Sequence, residues 1–215
     1  TPTVGTDFFI RKWLNSLVAA SEGFPVRLVL ALVGAQLTGK TEWFRRLLPD
    51  ELKQYYDESS LDGGKDDDIL MCKKLIIMDD EFGGKSKKDH KRFKGLTSRN
   101  KKDIRMPYGK VSVEMRRLCS LSCTSNDKEL LSDPFGNRRI LPINVLGINH
   151  EAYNNIDKTK LFLAFYDLYK TGFHWKFTTE DIKELNEASE FFVATNMESE
   201  LIQEYFVVPI GDHDG

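Results

Sequence analysis

Long apolar runs, paired cysteines and clustered histidines are scarce in this sequence, and each shortage removes a class of protein. No stretch approaches the roughly 18 consecutive apolar residues that a membrane-crossing helix needs. No secretory leader is evident either. The expectation is a cytoplasmic protein without a membrane partner. Cys72, Cys119 and Cys123 are odd in number and lack metal-ligand spacing, so they are expected to be reduced and buried. His90, His150, His174 and His213 are scattered, which leaves no histidine metal site. Neither sign of charge dominates, with 31 Lys+Arg against 33 Asp+Glu. A net charge of −2 says little about partners, because a local basic patch hides easily in a neutral total.

What is present is enough for a core: 40% hydrophobic residues over 215 positions. That suits one large domain, or a domain with a small appendage. We expect a core over residues 1–150, N-terminal helix included, and a C-terminal helical segment over 151–215 packed on it. The first residue is Thr, which suggests a piece of a longer protein.

Glycine is concentrated where it matters. Gly34-Ala35-Gln36-Leu37-Thr38-Gly39-Lys40-Thr41 fits G-x-x-x-x-G-K-[ST] at every fixed position. Residues 26–33 before it form a mostly apolar run of strand length. Residues 41–48 after it read as an amphipathic helix stopped by Pro49. Strand, glycine loop and helix together are the context that a phosphate-binding P-loop requires. Gly34 and Gly39 let the backbone turn its N–H groups toward phosphate oxygens, and the helix N-terminus adds a positive dipole end. Lys40 would reach the β- and γ-phosphates, and the Thr41 hydroxyl would ligate Mg²⁺.

The second anchor is Leu75-Ile76-Ile77-Met78-Asp79-Asp80-Glu81, four apolar residues running into three carboxylates. A strand buried on both faces of a parallel sheet reads this way. Acids at its C-terminal end sit where open α/β sheets bind ligands. This has the shape of a Walker B segment. By position Asp79 would hold Mg²⁺, with Asp80 as a further candidate ligand, and Asp80 or Glu81 would polarise the attacking water. Strand alternation would put Asp79 and Glu81 on one side and Asp80 on the other.

A third buried-type strand, residues 118–127, ends in Thr124-Ser125-Asn126. Asn126 is the candidate for positioning the lytic water, or for capping a short helix after it. Residues 85–110 are densely basic and contain the turn Met106-Pro107-Tyr108-Gly109. Cations flanking an exposed aromatic suit a nucleic-acid strand, although a merely solvated basic face has the same composition. Pro134 and Gly136 make a turn, and Arg138 and Arg139 lead from it into an edge-like strand. Such an arginine either neutralises a transferring phosphoryl group or pairs with a surface acid. Residues 7–20 and 157–171 carry apolar residues at helical spacing, with Gly172 as a C-cap candidate. Thr178 and Asp181 have capping-box spacing at the start of another helix, and residues 198–206 suggest one more. Residues 52–74 are weakly patterned and acidic, and read as a solvated loop.

Four segments together resemble the virulence-associated E family: Gly34 to Thr41, Asp79-Asp80-Glu81, Arg105-Met106-Pro107-Tyr108-Gly109-Lys110, and Thr124-Ser125-Asn126 with Asp133-Pro134-Phe135-Gly136-Asn137-Arg138-Arg139. The last is the most specific. The family comprises P-loop ATPases of phages and mobile elements, related to superfamily 3 helicases. The resemblance covers about residues 6–206. It implies an α/β, AAA+-like three-layer P-loop core with a mostly parallel central sheet and C-terminal helices. It implies ATP and Mg²⁺ as cofactors, single-stranded or forked DNA as partner, and self-association, as a ring in a full-length protein. Asn126 would fall at sensor 1, and Arg138 or Arg139 would be the finger or sensor arginine. Three acids in a row depart from the family's single glutamate-centred segment. The reading is an ATPase acting as a helicase or translocase in replication of the element. The alternative is an assembly or switch ATPase that acts on proteins without DNA. A small-molecule kinase is less well supported, because no acceptor site or arginine-rich lid has a candidate.

Overall fold

The computed structural model describes residues 5–60, 64–80, 82, 95–98, 100–104, 111–126 and 139–189. Five strands form one sheet: β1 Val29–Val33, β2 Tyr56–Glu58, β3 Ile76–Asp79, β6 Ser120–Ser125 and β7 Ile140–Asn144. Their order is β2-β3-β6-β1-β7, and every pairing is parallel. β4 Lys101–Ile104 and β5 Val113–Arg116 form a separate antiparallel pair. Helices α1 Thr6–Ser21, α2 Lys40–Arg45, α3 Lys65–Lys73, α4 His150–Asn154, α5 Lys158–Lys170 and α6 Thr179–Ser189 surround the sheet. No described helix is long and apolar enough to cross a membrane.

The continuous apolar strands are explained by burial on both faces. Along β1, Val29, Ala31 and Val33 pack with Met71 of α3, Leu96, Phe82 and Ile77. Leu28, Leu30 and Leu32 face the other way, with Trp13 and Leu17 of α1, Phe44 of α2, Phe165 of α5 and Leu185 of α6. Alternation sorts β3 in the same way: Ile77 joins the first layer, and Ile76 and Met78 join the second. The face that receives Ile76 and Met78 is therefore the face that carries the P-loop helix. The three cysteines are buried, as expected, and form no disulfide.

The caps agree with the sequence reading. Thr178 N–H donates to Asp181 at 2.7 Å and Asp181 N–H donates back to Thr178 Oγ1 at 3.1 Å, a reciprocal capping box. Gly172 takes φ 88° just past α5, a conformation that glycine adopts at little cost. The acidic stretch read as a solvated loop is instead a 3₁₀ turn over Asp50–Tyr55, edge strand β2 and helix α3. β2 is only three residues long, too short for alternation to show, and it is held by pairing with β3. The expected helices over 127–131 and 198–206 lie outside the described residues.

Candidate functional site

β1 ends at Val33, and Gly34 turns the chain into the loop that leads to α2. A side chain at Gly34 would stand 2.3 Å from the Val145 carbonyl, so the loop passes too close to the chain after β7 for any other residue. Gly39 has φ 89°, and a Cβ there would meet His150 Nε2 at 2.1 Å. Leu37 is fully exposed at the loop tip and has φ 64°, a conformation that costs a non-glycine residue about 1–2 kcal/mol. Such an outlier is retained where the loop's shape is itself needed.

The loop's side chains converge with those of two neighbouring strands. Lys40 is 6% exposed, and its ammonium donates to the carbonyls of Gly34 at 2.9 Å and Ala35 at 2.7 Å, and to Asn126 Oδ1 at 3.1 Å. Burial holds the Lys40 amine below its ordinary range, and the Asp80 charge offsets part of that effect. The Thr41 hydroxyl donates to the Asp80 carboxylate at 3.0 Å, and the Thr124 hydroxyl donates to the same oxygen. Gln36, Leu37, Gly39, Lys40, Thr41 and Asn126 help to line a cavity of about 320 Å³ here.

Strand parity explains the convergence. Asp80 continues the series Ile76, Met78, so it falls on the α2 face. Thr124 and Asn126 share the parity of Ser122, opposite to that of Leu121 and Cys123 in the other layer. β6 lies between β1 and β3, which places Thr124 and Asn126 between the P-loop and the acid.

Asp79 stands apart from this group. That residue continues the series of Ile77, pairs in register with Cys123 and is 1% exposed, away from Thr41. The acid brought to Thr41 is Asp80. Alternation was the right rule, but the face occupied by α2 is not written in the strand. Thr41 Oγ1 and an Asp80 oxygen are hard donors of the kind Mg²⁺ takes, and that ion is usually held by one or two protein oxygens plus phosphates. Glu81 and Arg138 lie outside the described residues, as do 105–110 and 133–137.

Arg139 is described, and it is far from the Gly34–Thr41 loop. It precedes Ile140, which pairs with Val29, whereas Gly34 follows the pair Val33–Asn144. Six residue steps along a strand amount to about 20 Å, beyond the reach of an arginine side chain. Its guanidinium donates instead to Ser98 Oγ at 2.7 Å and Thr97 Oγ1 at 3.4 Å.

Three features escaped sequence reasoning. Thr124 was seen only as part of a strand end, yet it is Asp80's second donor. His150 was set aside as scattered, yet it packs on Gly39. It is placed there because the Tyr153 ring of α4 stacks on Trp43 at 5.8 Å and the Tyr153 hydroxyl donates to the Trp43 carbonyl at 2.8 Å. Asn100-Lys101-Lys102-Asp103 spells N-K-x-D, the pattern of guanine-reading loops. The structure puts it in antiparallel β4, whose base is bonded through Asn100 to Arg117, at the opposite end of β1 from the P-loop. It is therefore no part of this site.

A larger cavity, about 670 Å³, lies elsewhere. It is apolar, between α1, the 3₁₀ turn and α5, with Leu17, Leu52, Leu75, Phe162 and Tyr166 among its walls.

The sequence pattern of the virulence-associated protein E-like domain matches residues 3–193. No curated protein matches the chain. Among solved structures, the chain is similar to the A form apo structure of the NrS-1 C-terminal region, residues 305–718. The TM-score is 0.52 at 16% identity, over 86% of this chain and 45% of that one. A second apo structure of the same region gives 0.50 at 16% identity, over 92% of this chain and 46% of that one. The chain thus spans less than half the length of these solved chains, and at this identity the likeness is one of fold. The α/β architecture with its parallel sheet and flanking helices is as the sequence led us to expect.

Proposed function

The chain belongs to the virulence-associated protein E-like family, and from that membership and the site's geometry we propose that it is an ATP-hydrolysing P-loop ATPase. The observation that carries this reading is the contact between Thr41 and Asp80, which joins the P-loop to the acid of β3 across the cavity. Lys40, held by loop carbonyls and Asn126, exchanges those partners for phosphate oxygens. Thr41 and Asp80 hold Mg²⁺, which supplies charge neutralisation at the phosphates. Asp80 is committed to Thr41 and Thr124, so polarisation of the lytic water falls to Glu81. Asn126 orients that water. An arginine acting on the phosphates comes from a neighbouring copy, since Arg139 lies a strand's length from its own loop.

The work done with ATP is on DNA, as a helicase or translocase in replication of a phage or mobile element. Support for this half comes from the family and from the basic β4–β5 ribbon that carries Lys101, Lys102 and Arg116. The test is ATP turnover by the purified chain with and without single- and double-stranded DNA. Mg²⁺-dependent hydrolysis that rises with DNA is expected. Hydrolysis indifferent to DNA would replace the DNA half with an ATPase acting on proteins. No hydrolysis under any condition would overturn the whole reading.

A further inference from the structure

The end of the sheet opposite the P-loop holds a second cleft, of about 490 Å³, at the start of β1 and β7. Arg27, Arg139 and Lys176 line it with Trp175 and Phe177, and among the described residues no acidic side chain does. Phe24 extends the aromatic surface: it is 44% exposed, and its ring centroid lies 6.2 Å from that of Trp175. Arg116 adds another cation at the rim. Its Cδ lies 3.3 Å from where a side chain at Gly23 would begin, so Gly23 lets it lie flat against the turn before β1. Among the described residues Arg27, Arg116 and Lys176 make no ion pair. Glu22, next to the cleft in sequence, already accepts the Tyr169 hydroxyl at 2.8 Å.

The platform is rigid because a buried cation fixes it from behind. Lys12 of α1 donates to the Lys176 carbonyl at 3.1 Å and pairs with Asp181, whose capping box holds Thr178. His174 Nδ1 lies 3.0 Å from the same carbonyl. The segment carrying Trp175 is thus tied down on its C-terminal side, at Lys176 and Thr178, before any ligand arrives, which lowers the cost of binding. Lys176 Nζ stands 5.5 Å from the Trp175 centroid, so charge and ring are presented together.

We propose that this cleft binds a single nucleic-acid strand, with bases stacked on Phe24 and Trp175 and phosphates met by Arg27, Arg116 and Lys176. Cations alone would suit any acidic surface. An exposed Phe24 ring beside a half-buried Trp175 ring, among cations that make no ion pair with the described residues, is the combination that single-strand sites use, because every base has a face to stack. The cleft is also continuous with the basic ribbon, since Arg116 pairs in register with Lys101. The proposal rests on the reading that the protein acts on DNA, and it adds where the strand runs.

The test is fluorescence anisotropy of a labelled oligothymidylate with the 215-residue chain across a salt series. Trp175→Ala should weaken binding about 5- to 150-fold, the range for losing one stacked base. Trp175→Phe should recover most of that loss, which a folding defect would not do. Arg27→Ala with Lys176→Ala should make the plot of log affinity against log salt shallower by about 1.4, or roughly 0.7 for each lost phosphate contact. Cross-linking with a bromodeoxyuridine oligonucleotide should label the peptide that contains Trp175. Wild-type binding matched in strength and salt slope by these variants would overturn the proposal and leave the DNA reading standing. Failure of the wild type to bind any oligonucleotide would overturn both. Variants that abolish self-association while DNA binding persists would assign the cleft to a second copy, and so overturn it too.

Discussion

The two ends of the parallel sheet are made of different materials. At the C-terminal end, side chains on consecutive or parity-matched residues meet around a glycine loop: Lys40 and Thr41 from one segment, and Asp80, Thr124 and Asn126 from two strand ends. At the N-terminal end, long cationic side chains from segments far apart in sequence are pinned to backbone carbonyls and hydroxyls. Arg117 reaches the carbonyls of Leu96 and Val26, Lys12 reaches Lys176, and Arg139 reaches Ser98. The first end is a local motif with strand parity added. The second exists only once the chain has folded, and its cations are used first for architecture.

The comparison is tested most severely at the P-loop. Lys40→Ala removes a charge that is held by loop carbonyls and surrounded by no large apolar neighbours among its hydrogen-bond partners. Turnover should fall by about 10²–10³-fold or more, the loss typical of a donor aimed at transition-state charge. Thermal unfolding followed by circular dichroism should change little. Near-normal turnover in a folded variant would end the assignment.

Next in size is the contrast between adjacent acids. Asp80→Asn weakens the oxygen pair with Thr41, so turnover should fall about 100-fold and need more Mg²⁺. Asp79→Asn, in the opposite layer, should leave the Mg²⁺ requirement near that of the wild type and act on stability. Titrating Mg²⁺ against turnover for both variants separates them. The reverse pattern would restore the assignment made from position alone.

That contrast also shows what the sequence made legible. The strand, glycine loop and helix over 29–45, the other buried strands and the capped C-terminal helices could be read because glycine spacing, apolar runs and cap chemistry are local. The choice of Asp80 over Asp79 needed knowledge of which layer holds α2, and no single strand encodes that. The helix α3 was misread because its first turn is Asp66, Asp67 and Asp68, which resembles solvated loop until the buried Met71 and Cys72 behind it are seen. Arg117 carries no local signal in the sequence, yet it is 3% exposed and its bonding spans three segments. Trp175 and Phe24 lie about 150 positions apart in the chain, and nothing in their local sequence announces that they meet.

Arg117 carries the third prediction. Burial pushes its guanidinium below its usual range, with neighbouring Arg27 adding to the effect, so the site tolerates this charge only because carbonyls receive it. Arg117→Met leaves two buried carbonyls without their donor, at about 1–3 kcal/mol each, with part of that returned by removing a desolvated charge. A drop in melting temperature of roughly 5–10 °C is expected for a chain of this size. Arg117→Lys should recover little, because one ammonium does not span both carbonyls. A melting temperature unchanged by Arg117→Met would mean that the brace is dispensable.

The smallest effect concerns pH, at the pair that fixes the Trp175 segment. Burial alone would raise the Asp181 carboxyl, but the Lys12 ammonium and the Thr178 N–H outweigh it and hold the group below the usual carboxylate range. A carboxyl depressed on folding adds stability that is fully present above its unfolded value of about 3.9 and is lost as pH falls through the folded value. Lys12→Met combined with Asp181→Asn removes both charges and keeps an acceptor for the cap. Replacing a buried pair as a unit is often close to neutral, so at pH 7 the double variant should melt within a few degrees of the wild type. Below about pH 4 the wild type should lose stability faster, and the gap between the two melting curves should shift in the variant's favour. The measurement is melting temperature at intervals from pH 7 down to pH 3 for both proteins. A gap that stays constant across that range would show that Asp181 titrates as it does in the unfolded chain. Lys12 would then fix the Trp175 segment through the Lys176 carbonyl alone.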